Sequence, residues 1–270
     1  MGRKMETNSK SDKILAHVDG AIGWLTVNQP EKRNAVSLAM AARATEVIEQ
    51  FSKDDGVRVI ILTGSGDAAF VSGADISEFE EKRNDAKAAA EYHLKSSQMY
   101  RAVKETEKPT IAMIRGYCMG GGVALAASCD LRFCSDDAVF AIPAARLGLG
   151  YRRYMVELVL NLLGPAYTKE MLFTGNRFTG AEAVQMGLVN RVLGKSELDS
   201  FVTQIATTIA TNAPLSVHAS KVVVEELLKD PEEQDLERCE RLVQGCAASE
   251  DYAEGRRAFM KKTKPVFMGH

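Results

Sequence analysis

The order of strand and helix patterns along the chain most constrains what this sequence can fold into. Between residues 13 and about 135, short β-rich runs alternate with segments of helical periodicity, whereas beyond about residue 150 the pattern is almost wholly helical. A β-α-β pattern predicts parallel strands, because parallel neighbours need a long crossover between them. We therefore expect an α/β fold that carries a helical C-terminal region.

Individual segments give this expectation its detail. Two β-rich runs flank Asp19-Gly20, a dipeptide that suits a tight hairpin turn. Ser37 can cap a helix that runs to about Ser52. The predicted strands are Lys13 to Val18, Ala21 to Val27, Val57 to Leu62, Thr110 to Arg115 and Leu131 to Cys134, and the further helices are at about 85–105, 123–128, 197–211, 215–229, 233–248 and 250–262.

Composition excludes several classes of protein. The 270 residues carry 34 lysines and arginines against 36 acidic residues, so no basic excess favours binding to nucleic acid or to a membrane surface. The longest uncharged stretches are too short or too polar to cross a bilayer. Five cysteines without a CxxC pair and four scattered histidines argue against a metal site. These features lead us to expect a cytoplasmic protein.

Two glycine-rich segments invite a nucleotide-binding interpretation. Gly64 to Ala69 has a G-x-G-x-x-A spacing after a strand, but Phe70 to Asp75 reads as an extended loop where a dinucleotide fold needs a helix. Gly120-Gly121-Gly122 lacks the Lys-Ser/Thr of a phosphate loop. It can serve close packing against a sheet, or it can open a helix whose N–H groups face an anion or a developing oxyanion.

Ordered matches along the chain decide between these alternatives. They comprise Phe70 to Ile76, Lys108 to Ala112, Gly116, Gly120 to Gly122, Cys129-Asp130, Leu172 to Gly175 and Glu254 to Pro265. Together they resemble the crotonase, or enoyl-CoA hydratase/isomerase, superfamily. The resemblance implies a spiral of β-β-α turns and a C-terminal helical trimerisation region. We place the α/β core at residues 1–205 and the helical region at 206–270.

The resemblance also implies a chemistry and a partner. Members of the superfamily act on acyl-CoA thioesters in fatty acid metabolism, as homotrimers or dimers of trimers, and coenzyme A is part of the substrate rather than a separate cofactor. Two backbone N–H groups stabilise the enolate charge on the thioester oxygen, and they match Ala74 and Gly121 here. The other predicted substrate-binding residues are Lys32, Arg33, Ala35, Gly73, Asp75, Ile76, Gly120, Arg146, Arg152 and Lys262, the last one contributed by a neighbouring subunit.

The sequence departs from the hydratases of the superfamily at two positions. Their paired glutamates match Ala124 and Ala144 here, and neither alanine can transfer a proton. We therefore expect an acyl-CoA lyase or isomerase that is not an efficient hydratase.

Tyr151 is the third candidate catalytic residue. It either packs on a helix start, or it matches the tyrosine of malonyl-type acyl-CoA decarboxylases of this superfamily. Those enzymes tend to carry His where this chain has Ala74. Arg146, Arg152 and Arg153 are either solvated or bind an acyl carboxylate. Decarboxylation through Tyr151 and a non-catalytic acyl-CoA binding subunit are thus the two alternative functions.

Overall fold

The computed structural model describes residues 12–75 and 86–270. Its strands are β1 Ile14–Asp19, β2 Ile22–Val27, β3 Val59–Gly64, β4 Ala69–Val71, β5 Thr110–Ile114, β6 Tyr117–Met119, β7 Leu131–Ser135, β8 Val139–Ala141, β9 Phe178–Thr179 and β10 Arg191–Leu193. Its α-helices are α1 Leu38–Lys53, α2 Ala86–Glu105, α3 Gly121–Ser128, α4 Arg153–Thr174, α5 Gly180–Gln185, α6 Leu198–Thr211, α7 Pro214–Leu227, α8 Leu236–Ala248 and α9 Glu250–Lys261. Short 3-10 helices lie at Pro30–Lys32, Pro143–Leu147 and Pro231–Glu233.

The strands form two sheets, and each strand belongs to one of them. One sheet has the order β1-β2-β3-β5-β7-β10 and the other has the order β4-β6-β8-β9. Each of three successive turns gives its first strand to the larger sheet and its second strand to the smaller one, before a helix returns the chain. This arrangement confirms the expected α/β spiral of β-β-α turns with a helical C-terminal region.

The larger sheet is covered on both faces, which explains the nearly continuous apolar run of β3. Ile60 and Leu62 point into the main core, which α1 also lines. Val59 and Ile61 point to the opposite face and pack with Val202 of α6. A strand that is buried on both faces has no polar side, so its sequence does not alternate.

The predicted elements hold, with differences at their ends. The hairpin turns at Gly20, whose φ of +58° suits glycine, and the Ser37 side chain accepts a hydrogen bond from the Met40 N–H at the start of α1. Helix α3 begins two residues before the predicted Val123. After residue 150 the chain is almost wholly helical, as predicted, and the exceptions are the short strands β9 and β10, which complete the two sheets. Strands of two or three residues are too short to display a period.

The division at residues 205 and 206 stays a prediction. Val202 and Ala206, one on each side of it, pack in the same cluster under the larger sheet. Within the described part of the chain, no helix is long and apolar enough to cross a membrane.

A carboxylate ties the sheet to the C-terminal helices. Asp130 Oδ2 accepts hydrogen bonds from the Thr110 N–H at 2.7 Å, the Thr110 hydroxyl at 2.9 Å and the Lys221 ammonium at 2.9 Å. Since Lys221 lies on α7 and its side chain is only 10% exposed, this contact joins β5 to the helical region at a largely buried point. The Asp of the Cys129-Asp130 match therefore has a structural task.

We predict that Asp130→Ala lowers the free energy of unfolding by about 2–4 kcal/mol, because Lys221 loses its buried partner and Thr110 loses two bonds. Urea denaturation measures the change. Asp136→Ala, which removes an exposed carboxylate, should stay within about 0.5 kcal/mol of the wild type. Equal losses in the two variants would contradict the assigned role of Asp130.

Candidate active site

A cleft of about 850 Å³ opens between the glycine-rich segments and the loop that precedes α4. Nine predicted site residues line it. They are Lys32, Ala35, Gly73, Ala74, Asp75, Gly120, Gly121, Tyr151 and Arg152. Ile76 lies outside the described residues. The structure thus brings together most of the positions that the sequence analysis selected.

The base of the cleft is where Ala74 and Gly121 meet. A parallel bridge between Val36 and Ala74 uses the N–H groups of Val36 and Asp75, so the N–H of Ala74 takes no part in it. Gly121 is the first residue of α3, where an N–H has no carbonyl on a preceding turn. Ala74 N lies 3.8 Å from the point that a Cβ on Gly121 would occupy. The backbones of two separate segments, which carry the Ala74 and Gly121 N–H groups, therefore lie close together here.

Glycine is required where α3 packs against β4. A Cβ on Gly122 would lie 2.1 Å from the carbonyl oxygen of Val71, at the end of β4. Gly73 has a φ of +112°, a conformation that residues with a side chain rarely adopt. The glycine-rich segments thus serve close packing and a helix N-terminus together, which were the two alternatives for the triple glycine.

The other glycine motif has a different environment. Gly64 ends β3, and a Cβ there would lie 2.3 Å from the carbonyl oxygen of Phe70. The chain continues from it into strand β4 rather than into a helix. The extended conformation expected for Phe70 to Asp75 is confirmed at Phe70 and Val71, which belong to β4, and a dinucleotide loop is not formed.

Tyr151 contacts the peptide that carries the Gly121 N–H. Its hydroxyl donates a hydrogen bond to the carbonyl oxygen of Gly120 at 2.9 Å. Because this carbonyl and the Gly121 N–H belong to one peptide group, a donor on the oxygen polarises the N–H. Burial, with smaller effects from Tyr100 and Cys118, raises the pKa of Tyr151 well above its usual range. The hydroxyl consequently stays a neutral donor near pH 7.

The charged groups of the cleft fall into two kinds. Lys32 donates a hydrogen bond to Asp75 Oδ2 at 2.8 Å, so this ammonium and this carboxylate neutralise each other. Arg152 and Arg153 both line the cleft, and within the described ranges neither has an ion-pair partner. The α4 end of the cleft is therefore positively charged.

Three predicted site residues lie outside the cleft lining. The Arg146 guanidinium donates to the Thr174 carbonyl at 3.1 Å and to Asn176 Oδ1 at 2.7 Å. Arg33 lies over the ring of Tyr117, 5.2 Å from its centroid. Lys262 is exposed at the end of α9, with a φ of +53°. A site formed within one chain does not include these three residues.

Ala124 and Ala144, the positions compared with the hydratase glutamates, have different environments. Ala124 is fully buried in α3, whereas Ala144 lines the cleft. Among the described residues of the lining, Asp75 is the one carboxylate. Metal binding has no evident donor set either, since no group of three histidine, cysteine or acidic side chains occurs in the described ranges.

Tyr100 is the residue that the sequence analysis missed. It lies on α2, lines the cleft and is 8% exposed. Its hydroxyl oxygen is 2.7 Å from the Cβ position of Gly121. Its only signal in the sequence is a polar-tipped aromatic residue on a helix face shared with Ser96 and Val103, a pattern that core tyrosines also display.

Known proteins resemble this chain along most of its length. The family model described as enoyl-CoA hydratase/isomerase matches residues 17–270. The chain belongs to this family. It is 31% identical to a short-chain-enoyl-CoA hydratase of Clostridium acetobutylicum, over 96% of this chain and 97% of that protein. It is 32% identical to a peroxisomal Delta(3,5)-Delta(2,4)-dienoyl-CoA isomerase of Arabidopsis thaliana, over 97% and 98% of the two chains.

Solved structures give the same result for the fold. An enoyl-CoA hydratase/isomerase family protein from Hyphomonas neptunium superposes with a TM-score of 0.90 at 33% identity, over 96% of this chain and 99% of that one. The fold is therefore the crotonase fold that the sequence led us to expect. The matched relatives include both hydratases and isomerases, so membership alone leaves the reaction open.

We predict that Gly122→Ala lowers the free energy of unfolding by at least about 2 kcal/mol, since the added methyl group meets a backbone oxygen that cannot rotate away. Gly245→Ala is the matched control, because it places a methyl group in open space on helix α8. That variant should be more stable than the wild type by about 0.5–1 kcal/mol. Chemical denaturation of both proteins tests the difference. A neutral Gly122→Ala would mean that β4 and α3 approach less closely than described.

Proposed function

We propose that this protein is an acyl-CoA thioester enzyme that holds the thioester oxygen between the N–H groups of Ala74 and Gly121. The observation that carries the proposal is the convergence of these two groups at the base of the cleft. An enolate oxygen gains negative charge as the reaction proceeds, and fixed donors stabilise that charge without reorganising. The names of the matched hydratase and isomerase support a CoA thioester as the substrate.

We infer further that the protein is a poor hydratase. Adding water to an enoyl thioester needs a group that activates the water and a group that delivers a proton. Ala124 and Ala144 supply neither, and Asp75 is engaged by Lys32. The enzyme would then use its oxyanion hole for lyase or isomerase chemistry that does not depend on a glutamate pair.

Decarboxylation of a malonyl-type thioester is the second candidate. Arg152 and Arg153 favour it, because their charges suit an acyl carboxylate. In this reaction the bond between the α-carbon and the carboxylate breaks. Its electron pair forms the enolate, carbon dioxide leaves, and water later supplies a proton to the α-carbon. The step needs no strong base, and Tyr151 would support it from its position at Gly120.

We also propose that the chain acts as a homotrimer or a dimer of trimers. Exposed apolar side chains on the last helices support an association surface, and they include Leu227, Leu228, Phe259 and Met260. Val222 of the same helix as Leu227 is buried inside the chain and does not belong to this surface. Contacts of Arg33 and Lys262 with the CoA phosphates belong to this proposal, with Lys262 supplied by a neighbouring subunit.

We predict that Gly121→Pro weakens butyryl-CoA binding and abolishes turnover, since proline has no N–H to donate. Gly121→Ala separates the missing donor from the added bulk: it keeps the N–H, so it should lose less binding than Gly121→Pro, although its methyl group meets the Tyr100 hydroxyl. Isothermal titration measures affinity, and circular dichroism checks that both variants are folded. A folded Gly121→Pro protein with wild-type binding and turnover would contradict the proposed oxyanion hole.

We predict that this protein hydrates crotonyl-CoA more slowly than a hydratase with both glutamates, by about two to four powers of ten for each missing acid-base group. If a malonyl-class thioester is the substrate, Tyr151→Phe should lower carbon dioxide release while CoA affinity stays unchanged, because only a hydroxyl is removed. Rapid crotonyl-CoA hydration by the wild type would overturn the inference from Ala124 and Ala144. Binding without turnover of any enoyl or carboxylated thioester would instead identify a non-catalytic acyl-CoA binding subunit.

A further inference from the structure

The hydroxyl group of Tyr100 lies where the two halves of the oxyanion hole meet. The hydroxyl oxygen and Ala74 N are 2.7 and 3.8 Å, respectively, from a single point, the Cβ position of Gly121. The Cα of Gly73 lies 3.8 Å from the same point. A side chain that arrives from α2 therefore ends beside backbone atoms of both glycine-rich segments.

The two phenols at this site are placed for different tasks. Tyr151 directs its proton at the carbonyl side of the Gly120–Gly121 peptide. Tyr100 lies next to Gly121 itself, whose N–H forms the opposite side of that peptide. An oxygen that accepts from this N–H sits about 2.9 Å from the nitrogen. The Tyr100 hydroxyl borders Gly121, so an oxygen bound to this N–H would have the hydroxyl as a neighbour.

The surroundings make a donor at this place effective. Val71, Met99 and Ile142 line the neighbouring wall of the cleft, and all three are nearly inaccessible to solvent. A hydrogen bond to a charged oxygen is stronger where water is excluded, because the local dielectric is low. A phenol hydroxyl can also rotate its proton toward whichever acceptor is present.

We propose that Tyr100 is a catalytic residue whose hydroxyl donates a third hydrogen bond to the thioester oxygen, beside the N–H groups of Ala74 and Gly121. This inference rests on the proposed function, since it needs a thioester in the cleft. It also gives Gly121 a second reason to be glycine, because any side chain there would displace the hydroxyl.

Infrared difference spectroscopy of butyryl-CoA labelled with 13C at its carbonyl tests the proposal without assuming a reaction. Wild-type protein should shift the carbonyl stretch to lower frequency on binding. Tyr100→Phe should reduce that shift, weaken butyryl-CoA binding by less than about tenfold, and lower turnover of the thioester that the wild type converts by about 100-fold.

Tyr154→Phe is the matched control. The Tyr154 hydroxyl is buried without a hydrogen-bond partner in the described structure, and its ring lies 4.7 Å below the Arg101 guanidinium. Removing it should leave the carbonyl frequency unchanged. Gly121→Ala gives an independent check if Tyr100→Phe folds poorly, since its methyl group would displace the Tyr100 hydroxyl and should reduce the shift as well.

The outcomes separate the two proposals. A full wild-type shift in both Tyr100→Phe and Gly121→Ala would overturn the role of Tyr100 and leave the two-donor hole intact. Wild-type protein that binds butyryl-CoA without any shift would overturn the oxyanion hole, and the third donor with it. A reduced shift in Tyr100→Phe together with an unchanged one in Tyr154→Phe would support the inference.

Discussion

The closeness of backbone segments at the glycine positions is the constraint on which the rest of the structure depends. At Gly64, Gly116 and Gly122 a Cβ would lie between 2.1 and 2.3 Å from a carbonyl oxygen of a neighbouring segment. Ordinary side chains would force these segments apart, because such distances are far inside van der Waals contact. In each turn of the spiral the strands of the two sheets can pack closely, because the residues at these points have no side chain. The same closeness brings the Ala74 and Gly121 N–H groups to one space.

The chemistry that the cleft can support depends on which of its side chains are charged and which are neutral. Lys32 and Asp75 neutralise each other, the Tyr151 phenol is a neutral donor to the Gly120 carbonyl, and the Tyr100 hydroxyl lies beside Gly121. On the proposed function, such a site would stabilise an oxyanion well and transfer protons poorly. The family relationship gives the substrate class its support, but these residues favour a reaction in which the enolate forms without a carboxylate base.

Much of the fold could be predicted from the sequence, and for identifiable reasons. The Asp19-Gly20 turn, the Ser37 cap and the apolar run of β3 are local signals, so the hairpin, α1 and β3 were foreseen. Strands β9 and β10 could not be predicted, because their pairing partners lie far away in the chain and their own patterns are too short.

The site was less accessible to prediction from local patterns. Ala74 and Gly121 were assigned through the family resemblance, since no local period indicates that two segments meet. Tyr100 could not be assigned, because a helix face does not reveal which loop it will oppose. The sequence could not separate Arg146 from Arg152 either. The left-handed Gly148 between them ends the 3-10 helix that carries Arg146, so the two guanidinium groups face different surroundings.

The sheet's connectivity has a consequence for how the molecule forms and opens. Strands β1 and β2 pair across a tight turn, but Thr63 on β3 bonds to Met113 on β5, a partner 50 residues away. Pairings of this kind have a high loop-closure cost, so the spiral should assemble slowly and cooperatively. The walls of the cleft come from segments near residues 35, 73, 100, 121 and 151, which belong to different turns. A chain in which only some turns have folded would lack a complete pocket. Ligand affinity is therefore coupled to global rather than local unfolding, and a bound thioester would slow hydrogen exchange in the deepest strands as well as at the cleft.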